Sequence, residues 1–340
     1  MAENRLFSTL PYTSYPEWTE CVDVHDRSEH SWLGTVRTIV AASSRYPVLV
    51  LDGTARTDQI AAAIIAAQRR RPRLIMTDAT WKRGSSLPDR LACAAGIRAM
   101  QGPHITFCVL SSWERDRFPQ TWGVPPDRVR FTPFCRTISD RELELPVSED
   151  GGVFAGGDSM RDYGPLLAAA GDIDAPVTIA SRKLRAGPDA PPNLSVGQVS
   201  PERFEELNRA ASVVVVALDD SSDRSAGQQT YLNAMALGKP VVVTDAPGVR
   251  DYVKDNETGL IVPLGDTDAM AAAIRRLLDP SNREEVDRIR AQARAAVSAR
   301  FTRRHYIASI MEVVEEERSR SQDATERQGT SQAPGETALG

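Results

Sequence analysis

Brief apolar runs alternate with longer amphipathic ones along most of the chain. PVLVLDG (47–53), RLIMTD (73–78), HITFCVLSS (104–112) and DRVRFTPFC (127–135) are short, almost continuously apolar, and bounded by Gly, Pro, Asp or Ser. That pattern predicts strands covered on both faces. Helices are expected between them. One runs from Trp32 to Arg45, and another covers DQIAAAIIAAQRRR, with Ile60, Ile64 and Ala67 on one face and Pro72 as its stop. LPDRLACAAGIRAM and WERDRFPQTWG complete the set. Strand, helix, strand, helix is the rhythm of a parallel α/β sheet. Residues 1–30 carry none of it beyond a weak strand near CVDVH.

RTISDRELELPVSEDGG (136–152) loses the periodicity and predicts a linker. The rhythm then restarts with strands at GVFAGG, PVTIAS, LSVGQV, SVVVVAL, PVVVTD and LIVPL. Ser200 and Pro201 open the helix ERFEELNRAA as cap and first helical residue, and Gly238 ends QQTYLNAMAL. The expected organisation is a first α/β domain over 1–140, a linker at 141–152 and a second α/β domain over 153–300. A terminal helix over 301–318 follows, then a tail at 319–340 too polar to order itself.

A length of 340 residues suits two domains of ordinary size, and 41% apolar with 26% charged residues suits a globular chain. No apolar run reaches the roughly 18–20 residues that span a bilayer. The first residues lack the basic start and apolar core of a secretory leader. Cys21, Cys93, Cys108 and Cys135 have no CxxC spacing, which argues against zinc and disulfides and for a reducing cytoplasm. A net charge of −5 argues against nucleic acid as a partner. One stretch departs from that balance. Arg56, Arg69, Arg70, Arg71, Arg73, Lys82, Arg83, Arg90 and Arg98 face only Asp58, Asp78 and Asp89. A solvated helix face is one reading. The other, favoured by Trp81 beside an apolar helix, is a membrane-peripheral surface facing anionic lipid.

The chemistry gathers in VVVVALDDSSDRSAGQQTYLNAMALGKP (213–240). A buried strand ends in a polar loop, and Gly227 lets the backbone approach a ligand where a helix begins. Unpaired N–H groups at Gln228, Gln229 and Thr230 make that start an anion site. Gln229, Thr230 and Asn233 share a helix face, and the carboxyl ends of parallel strands are where such sheets bind ligands. An ordinary β-loop-α unit is the alternative.

AMALGKPVVVTDAPGVRDYVKDNETGLIVPLGDTDAMAAAIRRLLD, with GQVSPERFEELNRAASVVVVAL before it, resembles the C-terminal domain of retaining glycosyltransferases of group 1 (family 4-like). VLSSWERDRFPQTWGVPPDRVRFTPF is similar to their stretch before the domain crossover. The resemblance implies an α/β fold of two Rossmann-like domains facing a cleft, the GT-B architecture. It implies a nucleotide-diphosphate sugar as co-substrate on the C-terminal domain, a glycan, lipid-linked or metabolite acceptor on the N-terminal one, and no metal or other cofactor. The family places two glutamates eight apart, the first near the donor sugar and the second on the ribose. Ser225 and Asn233 stand there in this chain. An amide at 233 can both donate to and accept from a ribose hydroxyl.

The family's diphosphate cations map onto FAGGDSMRDYGPLL, with Gly157 or Asp158 where an arginine is usual and Arg161 near a usual lysine. Arg182 and Lys183 follow the next strand and complete the expected charge. Gln198, Val199, Gly227, Gln228, Gln229 and Thr230 make up the rest of the donor site. Arg161 is expected to neutralise the departing phosphate. Asp78 either takes a proton from the acceptor hydroxyl or caps the following helix. The family's opening strand and Gly-rich loop have no counterpart before Gly34, which implies that the first strand is replaced or lost. A non-catalytic sugar-nucleotide-binding scaffold of the same fold remains the alternative function. An epimerase or hydrolase on this architecture ranks below it.

Overall fold

The computed structural model describes residues 5–68, 71–81, 86–220 and 224–330, without the side chains of Glu29, Ala92 and residues 321–330. The first half comprises β1 (Leu6–Ser8), α1 (Pro16–Thr19), β2 (Val22–Val24), α2 (Trp32–Ala42), β3 (Val48–Asp52), α3 (Arg56–Ala66), β4 (Arg73–Thr77), α4 (Leu87–Ala99), β5 (Ile105–Val109), α5 (Ser112–Trp122), β6 (Val129–Phe131) and α6 (Asp140–Leu143). The second comprises β7 (Val153–Gly156), α7 (Gly164–Ala169), β8 (Val177–Ala180), β9 (Leu194–Gly197), α8 (Pro201–Ala210), β10 (Val213–Val216), α9 (Gln228–Ala236), β11 (Val241–Thr244), β12 (Leu260–Val262), α10 (Thr267–Leu278), α11 (Arg283–Arg300) and α12 (Arg303–Thr330).

The strands form two parallel six-stranded sheets, in the orders β2-β1-β3-β4-β5-β6 and β12-β11-β10-β7-β8-β9. Alternate residues of the central strands enter different cores, which is why these runs read as continuously apolar. Val213 and Val215 of β10 pack with α7 and α10, while Val214 and Val216 pack with α9 and α11. Among the described residues no helix is long and apolar enough to cross a membrane.

Three expectations change. The opening strand is present: β1 pairs in parallel with both β2 and β3. Its three residues are too few to leave a periodic signal. The connecting segment holds a helix, α6, closed by a capping box between Ser139 and Glu142. The last helix, α12, continues beyond Arg318, and residues 331–340 lie outside the described residues.

α12 also returns to the first domain. Tyr306, Ile307, Ile310, Val313 and Val314 cover the face of the first sheet that carries Leu6, Val48, Val50 and Ile75. The chain therefore crosses between domains twice, and the crossings touch: Arg136 N–H donates to the Phe301 carbonyl over 2.8 Å.

Candidate nucleotide-sugar site

The carboxyl ends of β7, β8 and β10 and the start of α9 converge on one cleft. The loop after β7 is laid along the end of β10 by an isolated bridge between Arg161 and Leu218. Asp162 N–H also donates to the Ala217 carbonyl over 3.1 Å. This places the Arg161 guanidinium beside Gly157 and α9. Its Nη2 donates to Thr230 Oγ1 at 3.1 Å and its Nη1 to the Ser159 carbonyl at 2.8 Å. Its Nε is buried without a hydrogen-bond partner among the described residues. Burial presses its pKa below the ordinary arginine value. A buried cation with a spare donor, at a helix start, favours an anion.

Gly227 begins α9 with φ 86°. A Cβ there would meet Leu218 and Val216 side chains at 3.0 and 3.1 Å, so the turn needs glycine in both conformation and space. Gln228 is buried, Gln229 exposed and Thr230 half-buried.

Arg182 and Lys183 are organised differently from Arg161. Asp158 accepts from Arg182 Nε at 2.8 Å, from Arg182 N–H at 3.0 Å and from Ser181 Oγ at 2.6 Å, while Lys183 Nζ donates to its carbonyl at 2.6 Å. The Arg182 bond, then Ser181, holds the Asp158 pKa down at about 2. These two cations hold the loop and one wall of a cavity of about 340 Å³, lined by Gly157, Asp158, Arg182, Gln198, Val199 and Phe204. The cavity is contiguous with Arg161 through Gly157, whose missing side chain leaves room for the guanidinium.

Asn233 lies on α9 and has partners in the interdomain crossover that the sequence did not indicate. Its Oδ1 accepts from Thr137 N–H at 2.8 Å and Ile138 N–H at 3.4 Å, and its Nδ2 donates to Thr137 Oγ1 at 2.9 Å. In this conformation both ends of the amide hold the interdomain crossover. Asp78, in turn, caps no helix among the described residues; Ser86 caps α4. The Asp78 carboxylate accepts from the Tyr306 hydroxyl of α12. Burial raises its pKa to about 6.

The residue that sequence reasoning missed is Glu114, at the start of α5. It is 2% exposed and reaches Ser225 of the second domain at 2.7 Å. Asp251 belongs to the same junction, accepting from Ser112 N–H at 2.8 Å and Ser112 Oγ at 2.7 Å. The spacing Ser111-x-x-Glu114 behind a strand signals a helix start. Nothing local signals a contact 111 residues away.

Residues 167–280 match the family model of glycosyl transferases group 1. The second domain is similar to that family over the matched stretch. The chain is 41% identical over 88 residues to D-inositol 3-phosphate glycosyltransferase of Acidothermus cellulolyticus, covering 26% of this chain and 19% of that protein. It is 33% identical over 99 residues to alpha-D-kanosaminyltransferase of Streptomyces kanamyceticus, covering 28% and 20%. The matched stretch thus spans about a fifth of each curated relative. The fold as a whole is similar to Anabaena HepE in complex with UDP, at a TM-score of 0.64 and 16% identity over 87% of this chain and 86% of that one. Two α/β domains around a cleft, the GT-B architecture, are common to both.

Proposed function

We propose that the protein is a glycosyltransferase that moves a sugar, with retained configuration, from a nucleoside diphosphate to a hydroxyl of a glycan, lipid-linked or metabolite acceptor. The carrying observation is Arg161, a buried guanidinium with a spare Nε–H beside the first turn of α9. Departure of the nucleotide builds negative charge on its phosphates, and Arg161 with the N–H groups of Gln228, Gln229 and Thr230 receives that charge. The reading needs no metal, since those groups meet the diphosphate. The 340 Å³ cavity at Gln198 and Val199 takes the base and ribose. Both curated relatives are named as glycosyltransferases, and HepE has been captured with UDP and with UDP-glucose. For the acceptor side we assign Asp78, which follows β4 and is ionised above about pH 6, as the group that receives the proton of the hydroxyl.

The test is calorimetric. Arg161→Ala should weaken binding of UDP, GDP or dTDP by about 1.5–3 kcal/mol, the value of a charge-assisted hydrogen bond, and leave the matching nucleoside unchanged. Equal losses for nucleotide and nucleoside would assign Arg161 to folding. Release of free nucleotide from a nucleotide sugar separates an enzyme from a binding scaffold.

A further inference from the structure

We infer that Glu114 of the first domain is a positioning residue for the donor loop of the second. Three donors converge on its Oε2: Leu110 N–H at 3.1 Å, Ser111 Oγ at 3.1 Å and Ser225 Oγ at 2.7 Å. The Ser225 hydroxyl has one proton and gives it to Glu114, so its oxygen is free to accept, and Gln228 Nε2 donates to it at 2.5 Å. A directed chain therefore runs from the first residue of α9 through Ser225 to a carboxylate on the other domain. Gly227, the left-handed turn that exposes the α9 amides, lies between the two links.

Elsewhere at this junction the packing leaves no slack. A Cβ on Gly248 would sit 2.6 Å from Ser111 Cβ and 2.8 Å from Ser225 Cβ, so three chain segments meet at van der Waals limit. Removing a carboxylate from water costs several kcal/mol unless its hydrogen bonds are satisfied. Burial raises the Glu114 pKa, and its hydrogen bonds from Ser225 and Ser111 oppose the rise. Arg224, on the donor loop, contributes a favourable charge. Glu114 sets the orientation of Ser225 and Gln228, and through them the turn that presents the first amides of α9.

For donor binding this rests on the site assignment above, so the experiment has one arm with nucleotide and one without. The ligand-free arm is hydrogen exchange over peptides spanning 225–235, where Tyr231 N–H closes the first turn on the Gly227 carbonyl at 3.1 Å. Glu114→Ala should speed exchange there at least tenfold, with α10 and α11 unaffected. Glu114→Gln keeps an oxygen for the three donors and should stay within threefold of the parent. Ser225→Ala cuts the chain at its middle and reports the same effect should Glu114→Ala fold poorly. The second arm is UDP, GDP and dTDP affinity, expected to fall about tenfold in Glu114→Ala with nucleoside affinity unchanged. Unchanged exchange over 225–235 in Glu114→Ala, or in Ser225→Ala, overturns the role of Glu114. If the parent binds none of the three nucleotides while exchange responds as expected, the donor assignment fails and the positioning role stands.

Discussion

Asp78 is where a single side chain has the clearest consequence. It follows β4 with φ 48°, a left-handed conformation that Asp and Asn tolerate better than most residues. Its carboxylate is enclosed, accepts from Tyr306 and feels the negative field of Asp52, and burial dominates in lifting its pKa to about 6. Between the ordinary carboxylate value near 4 and about 6, the folded chain therefore holds a proton that the unfolded chain has released. Stability from this group is complete in acid and declines as pH rises through that window. Asp78→Asn keeps the backbone conformation and the acceptor for Tyr306 but removes the charge. The variant should match the parent near pH 4 and exceed it by about 1–3 kcal/mol at pH 7.5, the worth of a two-unit shift discounted for screening. Urea melts across that range would show it, and parallel pH profiles would refute it. The same substitution should lower kcat if Asp78 receives the acceptor proton, so stability and activity move in opposite directions.

At the scale of elements, α9 and α12 carry the connections between domains, and each makes a prediction. Asn233→Ala removes three hydrogen bonds from α9 to the crossover at Thr137 and Ile138. The loss should cost about 1–3 kcal/mol in stability. The preference for UDP over 2′-deoxy-UDP should stay as it is. A lost preference with unchanged stability would return Asn233 to the ribose. On α12, Glu317 is 1% exposed and pairs with Arg73 at 3.4 Å and Arg128 at 3.3 Å. Ending the chain after Arg318 removes, among the described residues, the partly exposed Arg320 from that carboxylate and should cost under about 1 kcal/mol. Ending it after Glu316 leaves two arginines facing a lost buried partner and should cost about 3–5 kcal/mol. These two helices also mark how far the sequence could be read. The strands of both sheets other than β1, and the Ser200 and Gly227 helix starts, were legible because their causes are local: apolar runs, caps, a glycine turn. β1 is too short to show a period. The destination of α12 on the first sheet and the pairing of Asn233 with Thr137 depend on contacts between residues far apart in sequence. The site divides the same way. Gly227 shows as a glycine turn between a strand and a helix, and Arg161 and Gly157 were expected from the family resemblance, whereas Glu114 becomes visible only when α5 meets Ser225.

For the whole molecule the question is which surface the acceptor approaches, and the distribution of charge bears on it. Of the basic stretch noted in the sequence, Arg69, Arg70, Lys82 and Arg83 lie outside the described residues. Arg73 is engaged by Glu317 and adds nothing to an outward face. Arg56 and Arg71 are exposed outside α4; on α4 itself, Arg90 and Arg98 accompany Leu87 at 71% and Leu91 at 64% exposure. Ile97 and Met100 are buried at its end, while the leucines, one helical turn apart, are left exposed by the described residues. Apolar side chains beside arginines fit the boundary of an anionic bilayer, where leucine enters the acyl region and arginine stays with the headgroups. We therefore expect the protein to sediment with vesicles containing anionic phospholipid at low salt and to be released as salt rises, since screening shortens the reach of the charges to about 8 Å at physiological ionic strength. Leu87→Ser with Leu91→Ser should reduce binding at every salt concentration, because it removes the apolar share. Arg90→Gln with Arg98→Gln should reduce it mainly at low salt. None of these four positions lines the cavity at Gln198 and Val199, so UDP affinity should be unchanged in both double variants. Equal recovery of the parent with neutral and anionic vesicles at low salt would make α4 an ordinary solvated helix. The acceptor would then have to reach the cleft from solution.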